Sequence, residues 1–304
     1  MRLKITTSSI KNNHIAKLLF LQKYQKLEKN FLNTIKMPEG PEVKIVADYL
    51  NENLNSKTIM SFEFCSDSYR EKYGELITTL NHFTPFNFDE VFCIGKTSFI
   101  KLSEKYYFSY HLGMTGNWTK VKEKHTHLSL NTKDKTIIYF NDTRRFGNIK
   151  LLSKAELNKK YFKDRDLLNY NTPIKENADF LINNIKSNIE ICKILLNQKY
   201  FCGVGNYLKS EILYMSKIHP HTKWGDLNRK EIERICKFTK SIINEAYNNG
   251  GAELRDFKNP ENDSKLILNA YGQTQDLKGM DIINDITKDN RRSYWSPNRQ
   301  ILKN

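Results

Sequence analysis

The run Met37-Pro38-Glu39-Gly40-Pro41-Glu42-Val43 holds the groups with the clearest chemical use. A methionine followed by proline is the context in which an initiator methionine is removed, and removal here would expose the secondary amine of Pro38. An α-amino group has a pKa of roughly 8, so an appreciable fraction is unprotonated near neutral pH, unlike a lysine at about 10.4. Such an amine can add to an electrophilic sugar carbon and form a Schiff base, dividing one hard step into two easier ones. Glu39, next in the chain, has the chemistry of an acid or base in the same cleft. Read alone, such a run is more often simply the start of a helix.

Other candidates are spread along the chain. Lys96 lies in Gly95-Lys96-Thr97 ahead of an apolar strand, where a lysine is ordinarily a solvated strand end. Met114 sits in Gly113-Met114-Thr115-Gly116, which in isolation suits ordinary core at least as well as an exposed tip. Arg144 and Phe146 occupy alternate positions, which share a face if the segment is extended. His125 and His127 alternate in the same way; the pair invites a metal, but no third ligand is identifiable nearby. Gly203-Val204-Gly205-Asn206 precedes a helical pattern. Glycines there let backbone N–H groups approach a phosphate at a helix N-terminus, although a lone Gly-x-Gly is a weak signal. Arg291 follows Lys288-Asp289-Asn290, a credible hairpin turn.

The elements that must position these groups are legible in outline. Val43, Val46, Ala47, Leu50 and Leu54 recur at spacings of three and four, which predicts an amphipathic helix beginning at Pro41. Residues 58–150 read as β, in short runs rich in Ile, Phe, Tyr and Thr broken by Gly, Asn and Asp. Residues 155–180 read as a polar connection. Helical periodicity dominates over 189–196, 207–215 and 229–247, and the last 35 or so residues return to β, with 280–287 and 291–295 flanking the turn.

The bulk properties bound the function. The 304 residues suffice for one large or two ordinary domains, and 39% hydrophobic residues with 16 Tyr and 17 Phe indicate a folded chain. No window approaches the roughly 18 uninterrupted apolar residues of a membrane span. A net charge of +15 favours a polyanionic partner, although abundant Lys, Asn and Ile also fit an AT-rich coding sequence. Cys65, Cys93, Cys192, Cys202 and Cys236 show no CxxC spacing, so neither a zinc ribbon nor a disulfide framework is suggested. An intracellular, reduced and non-secreted protein is expected, in the nucleus or a DNA-containing cytoplasmic compartment. Residues 1–36 carry many basic residues against the single acid Glu28 and read as a leader or upstream extension absent from the active molecule.

Taken in order, the motifs carry a resemblance. Pro38–Val43 resembles the N-terminal signature of the Fpg/Nei family of DNA glycosylases, in which the proline opens the mature enzyme. The match continues through Lys96, His111-Leu112-Gly113-Met114-Thr115-Gly116, His125-Thr126-His127, Asp142-Thr143-Arg144-Arg145-Phe146-Gly147, Gly203-Val204-Gly205-Asn206-Tyr207 and Ile218-His219-Pro220. Gly250-Gly251, Asp256-Phe257, Tyr271-Gly272 and Arg291 complete it, so nearly all of 37–300 is covered. The resemblance implies an α+β fold: an N-terminal helix on a two-layered antiparallel β-sandwich, then a helix–two-turns–helix domain ending in a β-hairpin. The expected divisions are 37–155, a connection over 156–180, 181–265, and a finger over 266–304. It also implies a bifunctional glycosylase and AP lyase. Pro38 is its nucleophile and Glu39 its proton donor; Lys96 lies on phosphate beside the reacting sugar, and Arg291 stands at the catalytic-arginine position. Met114, Arg144 and Phe146 resemble the trio that fills the gap left by an extruded base. His125 and Asn206 fall at positions that contact DNA phosphate. The implied partner is damaged double-stranded DNA, with single-stranded or bubble DNA as an extension; a monomer is expected, with neither membrane nor cofactor.

The sequence also departs from the family pattern. No cysteine follows Cys236, so the four-cysteine zinc finger of bacterial members is replaced by what resembles a zincless finger, closed by Arg291–Trp295 and held by cross-strand pairing and burial of Ile283, Tyr294 and Trp295. Structural zinc is expected to be absent. The loop between Phe257 and Tyr271 looks shorter than in Fpg and lacks its glycine-rich element, and Cys192 stands at a lysine position of Fpg, with Lys193 beside it. Both features favour oxidised pyrimidines and hydantoins over 8-oxoguanine. The alternatives are a glycosylase preferring 8-oxoguanine and formamidopyrimidines, and a non-catalytic damaged-DNA-binding paralogue if residues 1–36 are retained.

Overall fold

The computed structural model describes residues 37–304 apart from Ser187, 253–258, 261–265 and Asn304. The extension 1–36, the Asp256-Phe257 motif and much of the loop before Tyr271 therefore lie outside the described residues.

The expected first helix runs over Gly40–Leu54 (α1), and Val43, Val46, Ala47, Leu50 and Leu54 are all buried. Truncating Leu50 to Ala would open a cavity costing about 2–5 kcal/mol. Thr58–Phe64 (β1) leads to the first departure from the sequence reading: Asp67–Asn81 is a helix (α2), not β. Its buried side chains Tyr69, Tyr73, Ile77 and Leu80 recur at four, four and three. Aromatic β-formers at helical spacing masked the period, and burial against β1 decides the outcome.

Two antiparallel sheets follow. One orders Phe86–Asn87 (β2), β1, Thr126–Thr132 (β7), Ile137–Asp142 (β8) and Gly116–Thr119 (β6); the other orders Val91–Ile94 (β3), Thr97–Lys101 (β4), Tyr106–His111 (β5) and Asn148–Ser153 (β9). Their inner faces meet through Phe62 against Phe108, with centroids 5.2 Å apart, and Tyr110 against Trp118 at 5.5 Å. These edge-on aromatic contacts form the sandwich core.

The polar stretch 155–180 is not a bare connection. It begins inside helix Lys154–Lys160 (α3), where Ser153 and Glu156 form a capping box, and its end lies inside Ile174–Asn184 (α4). Polar surface concealed both helices, since α3 buries only Leu157. Then come the short Ile191–Leu195 (α5), Asn206–Ser216 (α6) and Arg229–Asn248 (α7), the last capped reciprocally by Asn228 and Glu231. Helix α6 packs against α7 and is buried almost throughout. Ile283–Ile286 (β10) and Arg292–Trp295 (β11) form the expected hairpin. Tyr294 and Trp295 are buried as expected, but Ile283 is 43% exposed, so it does not anchor the finger. Strand β10 is exposed along its length, and Ile282, just before it, is the buried residue on that side. One apolar core extends from α1 through both sheets into the helical part and Tyr294. Among the described residues no helix is long and apolar enough to cross a membrane, and no group of three or more His, Cys, Asp or Glu is arranged to hold a metal ion.

Candidate active site

The N-terminal turn meets the helical motif through backbone. Gly40 donates its N–H to the Gly203 carbonyl at 2.9 Å, and a side chain on Gly95 would strike Cys202 Sγ at 2.6 Å and Gly203 N at 2.8 Å. Only glycines permit this three-way approach. The β3–β4 turn carrying Lys96 is thereby pressed against the segment leading into α6.

Glu39, directly after Pro38, reaches with its carboxylate across 166 residues of sequence. Oε2 accepts from Gly205 N at 2.6 Å and Leu208 N at 3.3 Å, and Oε1 accepts from Tyr207 N at 2.9 Å. These are the orphan amides of the α6 N-terminus, where the helix dipole favours an anion. Burial nonetheless pushes the Glu39 carboxyl up to about 7, with nearby Glu42 adding to the rise and Lys96 and the amide bonds opposing it. Lys96 is held below the usual amine range by burial, and Arg291 lowers it further while Glu39 opposes. Gly205 makes the pairing sterically feasible: a Cβ there would sit 2.3 Å from Glu39 Cδ and 2.6 Å from Lys96 Nζ.

Lys96 and Arg291 line one cavity of about 460 Å³ together with His111, Lys160, Lys199 and Phe162. Burial and the neighbouring Lys96 charge hold His111 below its ordinary range, and its Nδ1 accepts from Gly113 N at 2.9 Å. Arg291 is exposed at the hairpin tip. Pro38 is buried beside Glu39, its nitrogen bonded here to Met37. The residues expected to act on the sugar thus converge: Pro38 and Glu39 from the N-terminal turn, Lys96 from the sandwich, Arg291 from the finger.

Met114, Arg144 and Phe146, the three residues expected to fill the gap, lie on two abutting loops. A Cβ on Gly113 would fall 2.5 Å from the Phe146 carbonyl carbon, so the Met114 loop rests on the Arg144–Phe146 turn. Arg144 and Phe146 do not sit on an extended segment as the alternation suggested. Arg145 is left-handed at φ 57, and the turn brings the Arg144 guanidinium over the Phe146 ring at 5.0 Å. Met114 and Arg144 are half-buried and Phe146 is 56% exposed. Asp142 staples the loops: its carboxylate accepts from Gly147 N at 2.7 Å and from the Thr115 hydroxyl, which in turn accepts from Arg144 N at 2.9 Å.

His125 is half-buried just before β7, its carbonyl accepting from Asp142 N at 2.9 Å. His127 is buried, with Nδ1 2.8 Å from Ser66 Oγ, Nε2 2.9 Å from the Asp142 carbonyl, and its ring stacked on Tyr69. Both its nitrogens are committed, which gives it a structural task. Asn206 opens α6, and its Nδ2 donates to the Arg292 carbonyl at 3.0 Å, linking the motif to the finger.

Several supporting residues were not singled out from sequence. Glu42 accepts from Glu39 N, Ala252 N and Tyr207 OH at 2.8–2.9 Å, and burial raises its carboxyl. The Glu39/Glu42 spacing is a capping-box signal that could have marked it. Asp166 accepts from Gly95 N at 2.7 Å, fixing the Lys96 turn, and Glu211 accepts from Asn269, Ala270 and Tyr271 amides. Their partners lie 58 to 71 residues away, so no local pattern announces them.

Two family models match: the formamidopyrimidine-DNA glycosylase N-terminal domain over residues 37–149 and the formamidopyrimidine-DNA glycosylase H2TH domain over 172–258. The chain belongs to the formamidopyrimidine-DNA glycosylase family. Members from Rickettsia africae and Rickettsia canadensis are 30% and 32% identical, each match covering 78% of this chain and 89% of the relative. The fold is shared with Lactococcus lactis Fpg solved with abasic-site DNA, and with MutM solved with DNA containing carbocyclic 8-oxo-G. Each has a TM-score of 0.73 at 23% identity; the first match covers 86% of this chain and 99% of that one, the second 87% and 100%. The α+β architecture and family membership expected from the motifs are therefore found.

Proposed function

We propose that this formamidopyrimidine-DNA glycosylase family member excises oxidised bases from DNA through the Pro38 amine and then cleaves the strand as an AP lyase. The observation that carries the reading is the placing of Lys96 beside both Arg291 and Glu39, the residue that follows Pro38. In the active form the chain begins at Pro38. Its nitrogen lone pair forms a bond to sugar C1′ as the glycosidic bond breaks; the base departs with that electron pair and takes a proton from Glu39, a carboxyl raised enough to hold one near neutrality. The nitrogen then loses its own proton, O4′ leaves C1′ and is protonated, and a Schiff base remains. Loss of a C2′ proton expels the 3′ phosphate; hydrolysis of the imine returns the amine. Lys96 and Arg291 hold phosphate beside the reacting sugar, His125 and Asn206 contact flanking phosphates, and Met114, Arg144 and Phe146 occupy the vacated space.

Damaged duplex DNA is the proposed partner, bound by a monomer, with single-stranded or bubble DNA also accepted. Among lesions, oxidised pyrimidines and hydantoins are favoured by Cys192, a buried thiol where Fpg carries a lysine. The second reading, a preference for formamidopyrimidines and 8-oxoguanine, is favoured by the names of the relatives. Excision of thymine glycol, a hydantoin and 8-oxoguanine from matched duplexes by protein beginning at Pro38 separates the two. Faster loss of 8-oxoguanine would overturn the first. A natural chain that retains residues 1–36 in cells would instead support the non-catalytic reading, because its Pro38 nitrogen is an amide.

A further inference from the structure

Resting on the proposed function, we infer that Lys209 and Asp289 form a buried strut that positions Arg291 for the reaction. Lys209 Nζ lies 2.6 Å from Asp289 Oδ2, and the two side chains are 0% and 4% exposed. The pair joins α6 to the finger tip across 80 residues of sequence. Its second carboxylate oxygen shapes the turn that presents the arginine: Asp289 Oδ1 accepts from Arg291 N at 3.1 Å and from Thr287 Oγ1 at 2.6 Å. Thr287 closes the other side, its N–H donating to the Arg291 carbonyl at 3.0 Å, while Asn290 takes the left-handed φ of 59° that the tight turn requires.

The same face of α6 grips the finger twice, because positions three apart on a helix are neighbours. Lys209 holds Asp289, two residues before Arg291, and Asn206 holds the Arg292 carbonyl, one residue after it. The amides that receive Glu39 belong to this helix. One rigid element therefore registers the acid, through its N-terminal N–H groups, against the arginine, through Lys209. A buried cation has no reason to sit in α6 unless an anion meets it there, and an isolated buried charge is costly. Pairing thus selects the finger geometry in which Arg291 lines the cavity with Lys96. Lys209 and Asp289 touch no substrate; their part is to place Arg291.

The test is a double-mutant cycle on protein beginning at Pro38, read as single-turnover excision and as borohydride-trapped adduct with abasic-site DNA. Arg291→Ala alone is expected to slow excision roughly 100-fold, the scale for losing one preorganised charge-stabilising donor. Lys209→Met is expected to slow it about 10- to 100-fold with duplex affinity changed less than about 3-fold, since many other phosphate contacts carry binding. In the double variant the total loss should be no greater than about that of Arg291→Ala alone, well short of the product of the two single losses, and Lys209→Arg should restore most of the rate. If Lys209→Met does not fold, Asp289→Asn, which keeps the shape of the turn, replaces it in the cycle with the same expectation. Full additivity of the two losses, or a folded Lys209→Met protein with wild-type excision, would overturn the inference alone. An unsubstituted protein that forms no adduct would overturn the proposed function and this inference together.

Discussion

The seam around Glu39 and the loops carrying Met114 and Phe146 serve one proposed reaction but are built on opposite principles. At the seam both carboxylates are buried and already engaged, Glu39 by three α6 amides and Glu42 by two amides and a tyrosine, and the glycines pack backbone to backbone. At the loops the functional side chains stand half out of the protein, and the buried polar work is done by Asp142 and Thr115 beneath them. Groups that transfer protons gain from preorganisation in a dry site, whereas side chains that must enter a duplex gain from standing at the surface. Substitution at the seam should therefore cost stability and rate together, and substitution at the loop tips should cost rate alone.

Glu39→Gln tests the seam most severely. The side chain keeps its shape but loses its proton and points an NH₂ at amides that need an acceptor. Excision should fall about 100- to 1,000-fold, with a lower thermal midpoint. The pH profile adds a sign. A carboxyl raised to about 7 is protonated below that value, so excision in the unsubstituted protein should decline as pH rises through about 7, and Glu39→Gln should lose this limb. A wild-type alkaline limb that persists in Glu39→Gln would remove Glu39 from the acid's role.

Gly205→Ala comes next. Its added methyl falls on Glu39 and Lys96 at once, so stability should drop by about 1–3 kcal/mol, and displacement of the acid should slow excision by roughly 100-fold. Denaturant unfolding and excision rates read both; unchanged stability would show the seam to be looser than described.

Phe146→Ala should produce the opposite pattern. Stability should stay within about 0.5 kcal/mol of the parent because the ring is exposed. Excision from duplex should fall around 10-fold, while a single-stranded substrate, which has no gap to fill, should be cleaved at the parental rate. An equal loss on both substrates would mean that Phe146 does something other than support extrusion.

The smallest effect concerns the finger, which lies between the two extremes. His221 bridges Glu190 (3.2 Å) and Asp285 (2.8 Å), with Lys288 3.7 Å from Glu190 and the His219 ring 5.5 Å away. Partial burial works against its charge, but its bonds to Asp285 and Glu190 prevail and raise its pKa. A raised histidine contributes stability fully below roughly pH 6.5 and loses it as pH rises through its folded value. The thermal midpoint should therefore fall by about 1–3 °C more in the parent than in His221→Gln between pH 6 and 8. Identical pH slopes would show the bridge to be inert.

The contrast also explains what could be read from sequence. The first helix was legible because Val43 to Leu54 keep one period on one face, and the finger was legible because a polar turn separates two β-prone runs. Helix Asp67–Asn81 was missed because its core residues include Tyr69 and Tyr73, aromatic residues that suit strands as well. The placing of Ile283 failed because an apolar residue in a two-stranded hairpin need not face inward when polar ties hold the finger. Pro38, Lys96 and Arg291 were singled out through their motifs, and the fold brings Lys96 and Arg291 to one cavity. The ties made by Asp142, Asp166, Lys209 and Asp289 were not legible, since an ordinary surface acid or lysine has the same local signature and only the fold reveals its partner.

The most direct test of the whole account is borohydride trapping on abasic-site DNA with two proteins that differ only at the N-terminus, one beginning at Pro38 and one retaining Met37 through an uncleavable extension. The account predicts a covalent protein–DNA adduct with the first and none with the second, although both bind the DNA. Equal trapping of both, or of neither, would contradict it.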